Sequence, residues 1–485
     1  LGAMAIAPLP SLSAIPRPLP TVHVEAGWVE GLRESGVTVW RGIPYAAAPV
    51  ADLRWRAPQP APNFDGTLKA HAFGPACPQV AESPTQLSPL GPQSEDCLTL
   101  NIWAPASASA GKRKLPVMVW LHGGGFIAGT GAEAQFDGAA LARQGIIVVT
   151  LNYRLGRLGF FAHPALSAEH PEEPHGNYGL LDQLAALRWV KANIAGFGGD
   201  PGNVTLFGES AGAISTVFLM AASSAKGLFH KVIVQSAPLG TPLRDLREDR
   251  PDAPSAETLG RQWAASLGIA GEDSAALAAL RRLPVERIAP RSTTPAEIYA
   301  IMGMSRPMQD GALLLGDPAA IHARGEQIAV PMIVGSNGRE DVVWSFDHGQ
   351  PGLVPITALT APQILALIAD PAERAAVARH YQAKAPGDPA AADALLRSDA
   401  FAGASTRFLA RSAKADAWLY RFEAVPQQAR NVTAQAPHGT ELFYTFGTLG
   451  TFPYKPDPTA ARDRQTADAM VRYWAQFAKT GSPRA

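Results

Sequence analysis

The 485-residue chain is expected to fold as an α/β protein, with a large central, mostly parallel sheet and helices on both faces. Three observations lead there. Short, β-branched, near-continuous apolar runs recur at 117–121, 146–152, 204–207, 232–235 and 330–334, as in strands buried on both faces. Helical patterns lie between them: Leu181, Leu184, Leu187, Val190 and Ile194 recur at spacings of three and four, one face of a helix. Finally, 47% of the residues are hydrophobic, enough to fill a large core.

Taken in order, residues 1–20 carry five prolines and read as a tag remnant or Pro-rich leader, set apart from the fold. They have no charged segment followed by a long apolar one, so no intact signal peptide is expected. Residues 21–39 alternate around Gly27, Gly31 and Gly36 and read as a small antiparallel meander. Residues 57–95 are rich in Pro, Gly and Ser and read as a long ordered loop. The helix over 181–194 stops at Gly196-Phe197-Gly198-Gly199. Two Ala-rich stretches, about 240–330 and 355–415, have charges at helical spacing and read as helical insertions roofing the sheet. Residues 418–422 look like a further strand.

Charge excludes some functions. Lys+Arg and Asp+Glu both number 42, so no basic field exists to hold nucleic acid. The apolar runs are strand-sized, far short of a bilayer span. The two cysteines, Cys77 and Cys97, are either free thiols or a disulfide; neither has a neighbouring ligand at metal-site spacing.

Chemistry enters with Gly208-Glu209-Ser210-Ala211-Gly212, which follows the run at 204–207 and precedes a helical stretch from Ala213. A strand turning sharply through Gly-x-Ser-x-Gly into a helix is the nucleophile elbow of an α/β-hydrolase fold. A serine hydroxyl needs a base in reach, itself oriented by a carboxylate, in the chain order Ser, Asp/Glu, His. His438 sits in a loop after the strand at 418–422, where a base can reach over the nucleophile. The strand at 330–334 runs into a Gly-rich turn followed by Glu340 and Asp341, and spacing does not choose between these two acids. Gly123-Gly124-Gly125-Phe126 follows another strand, and such a run lets backbone N–H groups face an oxyanion. No Gly-Lys-Ser/Thr follows it, so it is not a phosphate loop.

With these residues the chain resembles the type B carboxylesterases, the family of cholinesterases and bacterial p-nitrobenzyl esterases. Matching segments include Arg41-Gly42-Ile43-Pro44-Tyr45-Ala46, Ser94-Glu95-Asp96-Cys97, Asn152-Tyr153-Arg154, Asn177-Tyr178-Gly179, the elbow, and His438-Gly439-Thr440-Glu441. The resemblance implies one α/β-hydrolase catalytic domain over residues 21–485, with Ser210 as nucleophile, His438 as base and Glu340 as acid. It implies oxyanion donors at Gly124, Gly125 and Ala211, a Cys77–Cys97 disulfide, and buried ion pairs Arg41–Glu95 and Arg154–Asp182. Glu209 reads as a structural carboxylate, and Ser236 as a hydroxyl near Glu340 or a plain structural residue.

Arg339 and Arg157 depart from the family's usual residues and suggest an anionic acyl group, as in a tricarballylate mycotoxin (fumonisin-type) ester. Phe126 and Trp344, with Phe346, are further candidate pocket residues. The expected function is hydrolysis of a small-molecule carboxylic ester through an acyl-enzyme, with no metal or organic cofactor. The alternatives are a non-catalytic, adhesion-type protein on the same fold, or an amidase or thioesterase on the same triad. A disulfide would favour a periplasmic or secreted location. The sequence leaves the oligomeric state open.

Overall fold

The computed structural model describes residues 18–79, 90–108, 114–240, 242–289, 301, 303–347, 350–357, 359–453 and 460–484. Its centre is a nine-stranded sheet: β1 (Leu32–Glu34), β2 (Val37–Pro44), β3 (Thr99–Pro105), β4 (Leu115–Leu121), β5 (Ile147–Leu151), β6 (Gly199–Glu209), β7 (Lys231–Gln235), β8 (Met332–Asn337) and β9 (Ala417–Phe422). Across the sheet the order is β9-β8-β7-β6-β4-β5-β3-β2-β1. The six strands from β9 to β5 are parallel, and β3, β2 and β1 extend the edge antiparallel.

The buried strands explain their own composition. In β4, Val117, Val119 and Leu121 pack into one layer while Met118 and Trp120 pack into the other, the period of two that a pleated strand imposes. The first layer is covered by α1 (Tyr178–Asn193) and α2 (Ala211–Ala221). The second is covered by α3 (Ala461–Thr480), whose Met470, Val471, Trp474 and Phe477 are buried there. Trp120 stands at the centre of that layer, 4.7–5.1 Å from the rings of Phe136, Phe207 and Phe446. Helix α1 carries Leu181, Leu184, Leu187 and Val190, with Ile194 in the turn that follows, and it is buried beyond one stripe because it also packs against Gly156–Gly159. Its end is a 3₁₀ turn closed by Gly198 at φ 87°.

Two expectations need correction. The meander over 21–39 is divided between two sheets: Thr21–Val24 and Gly27–Glu30 form a hairpin joined by Thr67–Lys69, while β1 and β2 join the large sheet. The chain crosses between them at Gly31, where a Cβ would run into the Val39 carbonyl and the Trp40 indole. The ion pair Arg41–Glu95 does not form. Arg41 is bidentate with Glu34 of the β1–β2 hairpin at 2.6 Å, and Glu95 is bound by Arg54. Arg54 also donates to the carbonyls of Arg281 and Leu283, tying the N-terminal segment to the first insertion. Beyond the expected strands, Arg339–Asp347 and Gln350–Pro355 form a hairpin, and Arg339–Asp347 also pairs in parallel with Pro437–His438. The run after the Gly-rich turn is therefore a strand.

Other expectations hold. Arg154 and Asp182 form a buried bidentate pair at 2.7 and 2.8 Å. Cys77 and Cys97 are joined in a disulfide, and both are buried. Both insertions are helical, the second as Ala361–Ala366, Pro371–Lys384, Pro389–Ser398 and Ala404–Ser412.

The disulfide closes a span of 20 residues. A Cys77→Ser/Cys97→Ser double variant is expected to lose about 3 kcal/mol of stability, read as a lower urea midpoint at unchanged slope.

Candidate active site

Strand β6 ends at Glu209, and α2 begins at Ala211, leaving Ser210 alone at the turn with φ 52° and ψ −119°. Such a conformation costs a non-glycine residue of order 1–3 kcal/mol and lifts its side chain out of the sheet. The flanking glycines make the turn possible. A Cβ on Gly208 would meet the Gly212 backbone, and one on Gly212 would run into the Leu121 carbonyl. The Ser210 N–H donates to the Gln235 carbonyl at 3.0 Å, so the turn stays tied to the neighbouring strand β7.

Beside it, Gly124, Gly125 and Phe126 all have positive φ, at 98°, 62° and 65°. Among the described residues, the N–H groups of Gly124 and Gly125 find no acceptor within the protein. Ala211 opens α2, so no preceding turn offers its N–H an acceptor. Gly123 must lack a side chain, since a Cβ there would stand 2.6 Å from Glu209 Oε2 and 3.2 Å from Ser210 Cβ.

Glu340 and His438 meet through the unforeseen strand. Glu340 lies near its start, and its pairing with Pro437–His438 brings residues 98 apart in sequence into contact. Glu340 Oε2 lies 2.6 Å from His438 Nδ1. The other carboxylate oxygen accepts from the Ser236 hydroxyl at 2.6 Å and from the Asn337 backbone N–H. Ser236 thus contacts Glu340 directly. The choice left open between acids resolves geometrically: Asp341 faces away, bound by Arg397 at 2.9 Å and by the Ser398 hydroxyl at 3.1 Å.

The other face of the imidazole differs from expectation. Nε2 lies 2.9 Å from Glu209 Oε1, and among the described residues His438 forms no hydrogen bond with the Ser210 hydroxyl. Burial by itself would favour the neutral ring. Glu209 and Glu340 together outweigh it and hold the imidazole well above its usual pKa. Burial, reinforced by Glu209 and Glu340, also pushes the neighbouring Glu441 up to about 8. Glu209, expected to be a structural carboxylate, contacts His438 as well; its place next to Ser210 in the sequence is the signal for that contact.

Phe401 was not foreseen at all. A π-helical turn over Asp399–Gly403 presents its ring edge-on to His438, 5.1 Å between centroids at 88°. Asp399 anchors that turn by accepting from Tyr381 at 2.6 Å and from Arg407 at 3.0 and 3.1 Å. Nothing in an Ala-rich insertion announces such a turn.

The expected pocket residues separate. Phe126 is buried and lines a cavity beside the elbow together with Ile214 and Leu239. Trp344 instead belongs to the core; its indole N–H donates to Thr440 Oγ1 at 2.8 Å, which braces the His438 loop. The Phe346 side chain lies outside the described residues. Arg339 reaches Asp341 at 3.4 Å rather than the cavity. Arg157 lies over the Trp263 ring at 5.0 Å, and burial lowers its pKa.

The carboxylesterase family model matches residues 18–485. A fumonisin B1 esterase from Sphingopyxis macrogoltabida is 38% identical over 494 residues, covering 100% of this chain and 85% of its own. A para-nitrobenzyl esterase from Bacillus subtilis (strain 168) is 35% identical, covering 95% of this chain and 90% of its own. Among solved structures, a thermophilic PNB esterase superposes with a TM-score of 0.77 at 30% identity, covering 96% of this chain and 92% of that one.

Two carboxylates around one ring make a prediction about pH. Glu209→Gln removes one of the charges that raise the His438 pKa, so the acid limb of log(kcat/KM) against pH should move to lower pH by roughly one unit. Stopped assays from pH 5 to 9 measure it; an unmoved limb means that Glu209 does not act on the ring.

Proposed function

This chain belongs to the carboxylesterase family and is a carboxylic ester hydrolase, and we propose that it works through an acyl-enzyme formed on Ser210. The observation that carries the reading is the buried Glu340–His438 contact beside the elbow turn. In the proposed cycle Nε2 exchanges Glu209 for the Ser210 hydroxyl once substrate is bound, as catalytic hydrogen bonds often tighten only in the complex. His438 then takes the hydroxyl proton as Oγ attacks the ester carbonyl. Glu340 and Glu209 stabilise the imidazolium that results, which is the state both carboxylates favour.

The oxyanion that forms would be met by the N–H groups of Gly124, Gly125 and Ala211. Because those donors are held by the fold, they cost no reorganisation when charge develops. His438 returns its proton to the leaving alcohol, and water repeats the sequence to free the acid. Phe401, lying edge-on to the ring, limits the positions that the imidazole can adopt between Glu209 and Ser210.

Location follows from less. Among the described residues no helix is long and apolar enough to cross a membrane. The Cys77–Cys97 bond supports an oxidising compartment, the periplasm or the cell exterior. The anionic-acyl reading based on Arg339 and Arg157 has weak support, since Arg339 is engaged by Asp341 and neither residue lines the cavity beside Phe126.

The test is steady-state hydrolysis of p-nitrophenyl acetate by Ser210→Ala, His438→Ala and Glu340→Gln. Ser210→Ala and His438→Ala should each lose about 10⁴-fold or more in kcat, with Glu340→Gln losing less. A Ser210→Ala enzyme within tenfold of wild type contradicts the proposal. In the same assay, Phe401→Ala should lower kcat several-fold with KM changed less, because it loosens the base and not the ester.

A further inference from the structure

The cavity beside the elbow contains a cation that has no partner among the described residues. Phe126, Ile214, Leu239 and Leu243 give it apolar walls, and Arg306 lies among them. Phe126 follows the glycine turn, and the Ile214 N–H donates to the Ser210 carbonyl at 2.9 Å, so the cavity adjoins the nucleophile. Arg306 is half-buried, and among the described residues its guanidinium has no hydrogen-bonding or ion-pairing partner. Asp317 shares the cavity, but its carboxylate caps the helix Pro318–Arg324, accepting the Ala319 N–H at 2.8 Å.

A second arginine compounds the imbalance. Arg244 heads a two-stranded ribbon, Arg244–Asp245 against Met308–Gln309, which holds it near Arg306. It donates once, to the Gly303 carbonyl at 3.2 Å, and its buried Nε has no partner. Burial first, and then the Arg244 charge, both act against the Arg306 cation. Asp245 gives no relief, since its Oδ1 accepts the N–H groups of Arg247 and Glu248 at 2.8 Å within its own turn. Guanidiniums withdrawn from water without carboxylates are unfavourable for folding alone. An aliphatic ester would fit the apolar walls and leave that cost standing. A ligand carboxylate removes it, because the guanidinium fork matches a carboxylate in two parallel hydrogen bonds.

We propose that this cavity is a subsite for a carboxylate carried by the ester substrate, held by Arg306 with Arg244 at its rim. The proposal rests on the reading of Ser210 as the esterase nucleophile. It replaces Arg339 and Arg157 as the origin of any preference for an anionic substrate.

Matched esters test it. On the acyl side, mono-p-nitrophenyl glutarate is compared with p-nitrophenyl valerate; on the alcohol side, 4-butyryloxybenzoate is compared with its methyl ester. In at least one pair the wild-type enzyme should favour the charged member by about tenfold or more in kcat/KM, and the pair identifies the side. In Arg306→Gln that charged-to-neutral ratio should fall by roughly 10–100-fold, and Arg306→Lys should keep part of it. A measurement on wild type alone accompanies it: glutarate should inhibit valerate ester hydrolysis competitively, and dimethyl glutarate should not. No preference in either pair, a ratio unchanged in Arg306→Gln, or no inhibition by glutarate overturns the subsite. Those results leave the esterase reading intact if valerate ester hydrolysis is lost in Ser210→Ala; survival of that activity in Ser210→Ala overturns the esterase reading instead.

Discussion

A histidine ring lies out of water between two carboxylates, and the geometry of the site follows from holding it there. His438 meets Glu340 at 2.6 Å on one nitrogen and Glu209 at 2.9 Å on the other. Glu340 is fixed by Ser236 and the Asn337 N–H, and Glu209 belongs to the end of β6. The ring's own loop is braced by Trp344 through Thr440, and by Asn337, which donates to the Pro437 carbonyl at 2.8 Å. In a low-dielectric setting such an arrangement favours the imidazolium, which a general base becomes at the moment of attack.

Strain and order meet along one edge of the sheet. Ser210 and Ser236 both carry positive φ, at 52° and 57°, and they follow the adjacent parallel strands β6 and β7. Each is pinned to the next strand by a backbone hydrogen bond, Ser210 to Gln235 and Ser236 to Gly335. Three strand ends in succession therefore deliver Ser210, the Ser236 hydroxyl that meets Glu340, and the turn that carries Glu340 itself. Open parallel sheets place their chemistry at the carboxyl ends of strands for this reason: the loops there are free to vary while the strands fix their roots.

Much of this could be read from the chain. The buried strands announced themselves by continuous apolar runs, and the elbow by glycines that the close approach of Leu121 demands. The acid was harder, because Glu340 and Asp341 are adjacent and strand pairing, not spacing, points one inward. Contacts depending on pairing partners were misread in the same way: Arg41 chose Glu34, its hairpin neighbour, over Glu95. Least legible were Phe401 and Arg306, both within helical insertions whose composition is ordinary. Their importance arises only from what the fold brings against them, the His438 ring in one case and an apolar cavity in the other.

The central claim is that Ser210 is the residue that forms the covalent intermediate. Intact-mass analysis after treatment with a fluorophosphonate, followed by peptide mapping, addresses it directly. The account expects one equivalent of adduct, carried entirely by the peptide containing Ser210, and ester hydrolysis lost in proportion. Inactivation with the adduct on another residue, or ester hydrolysis that persists after Ser210 is fully labelled, would contradict it.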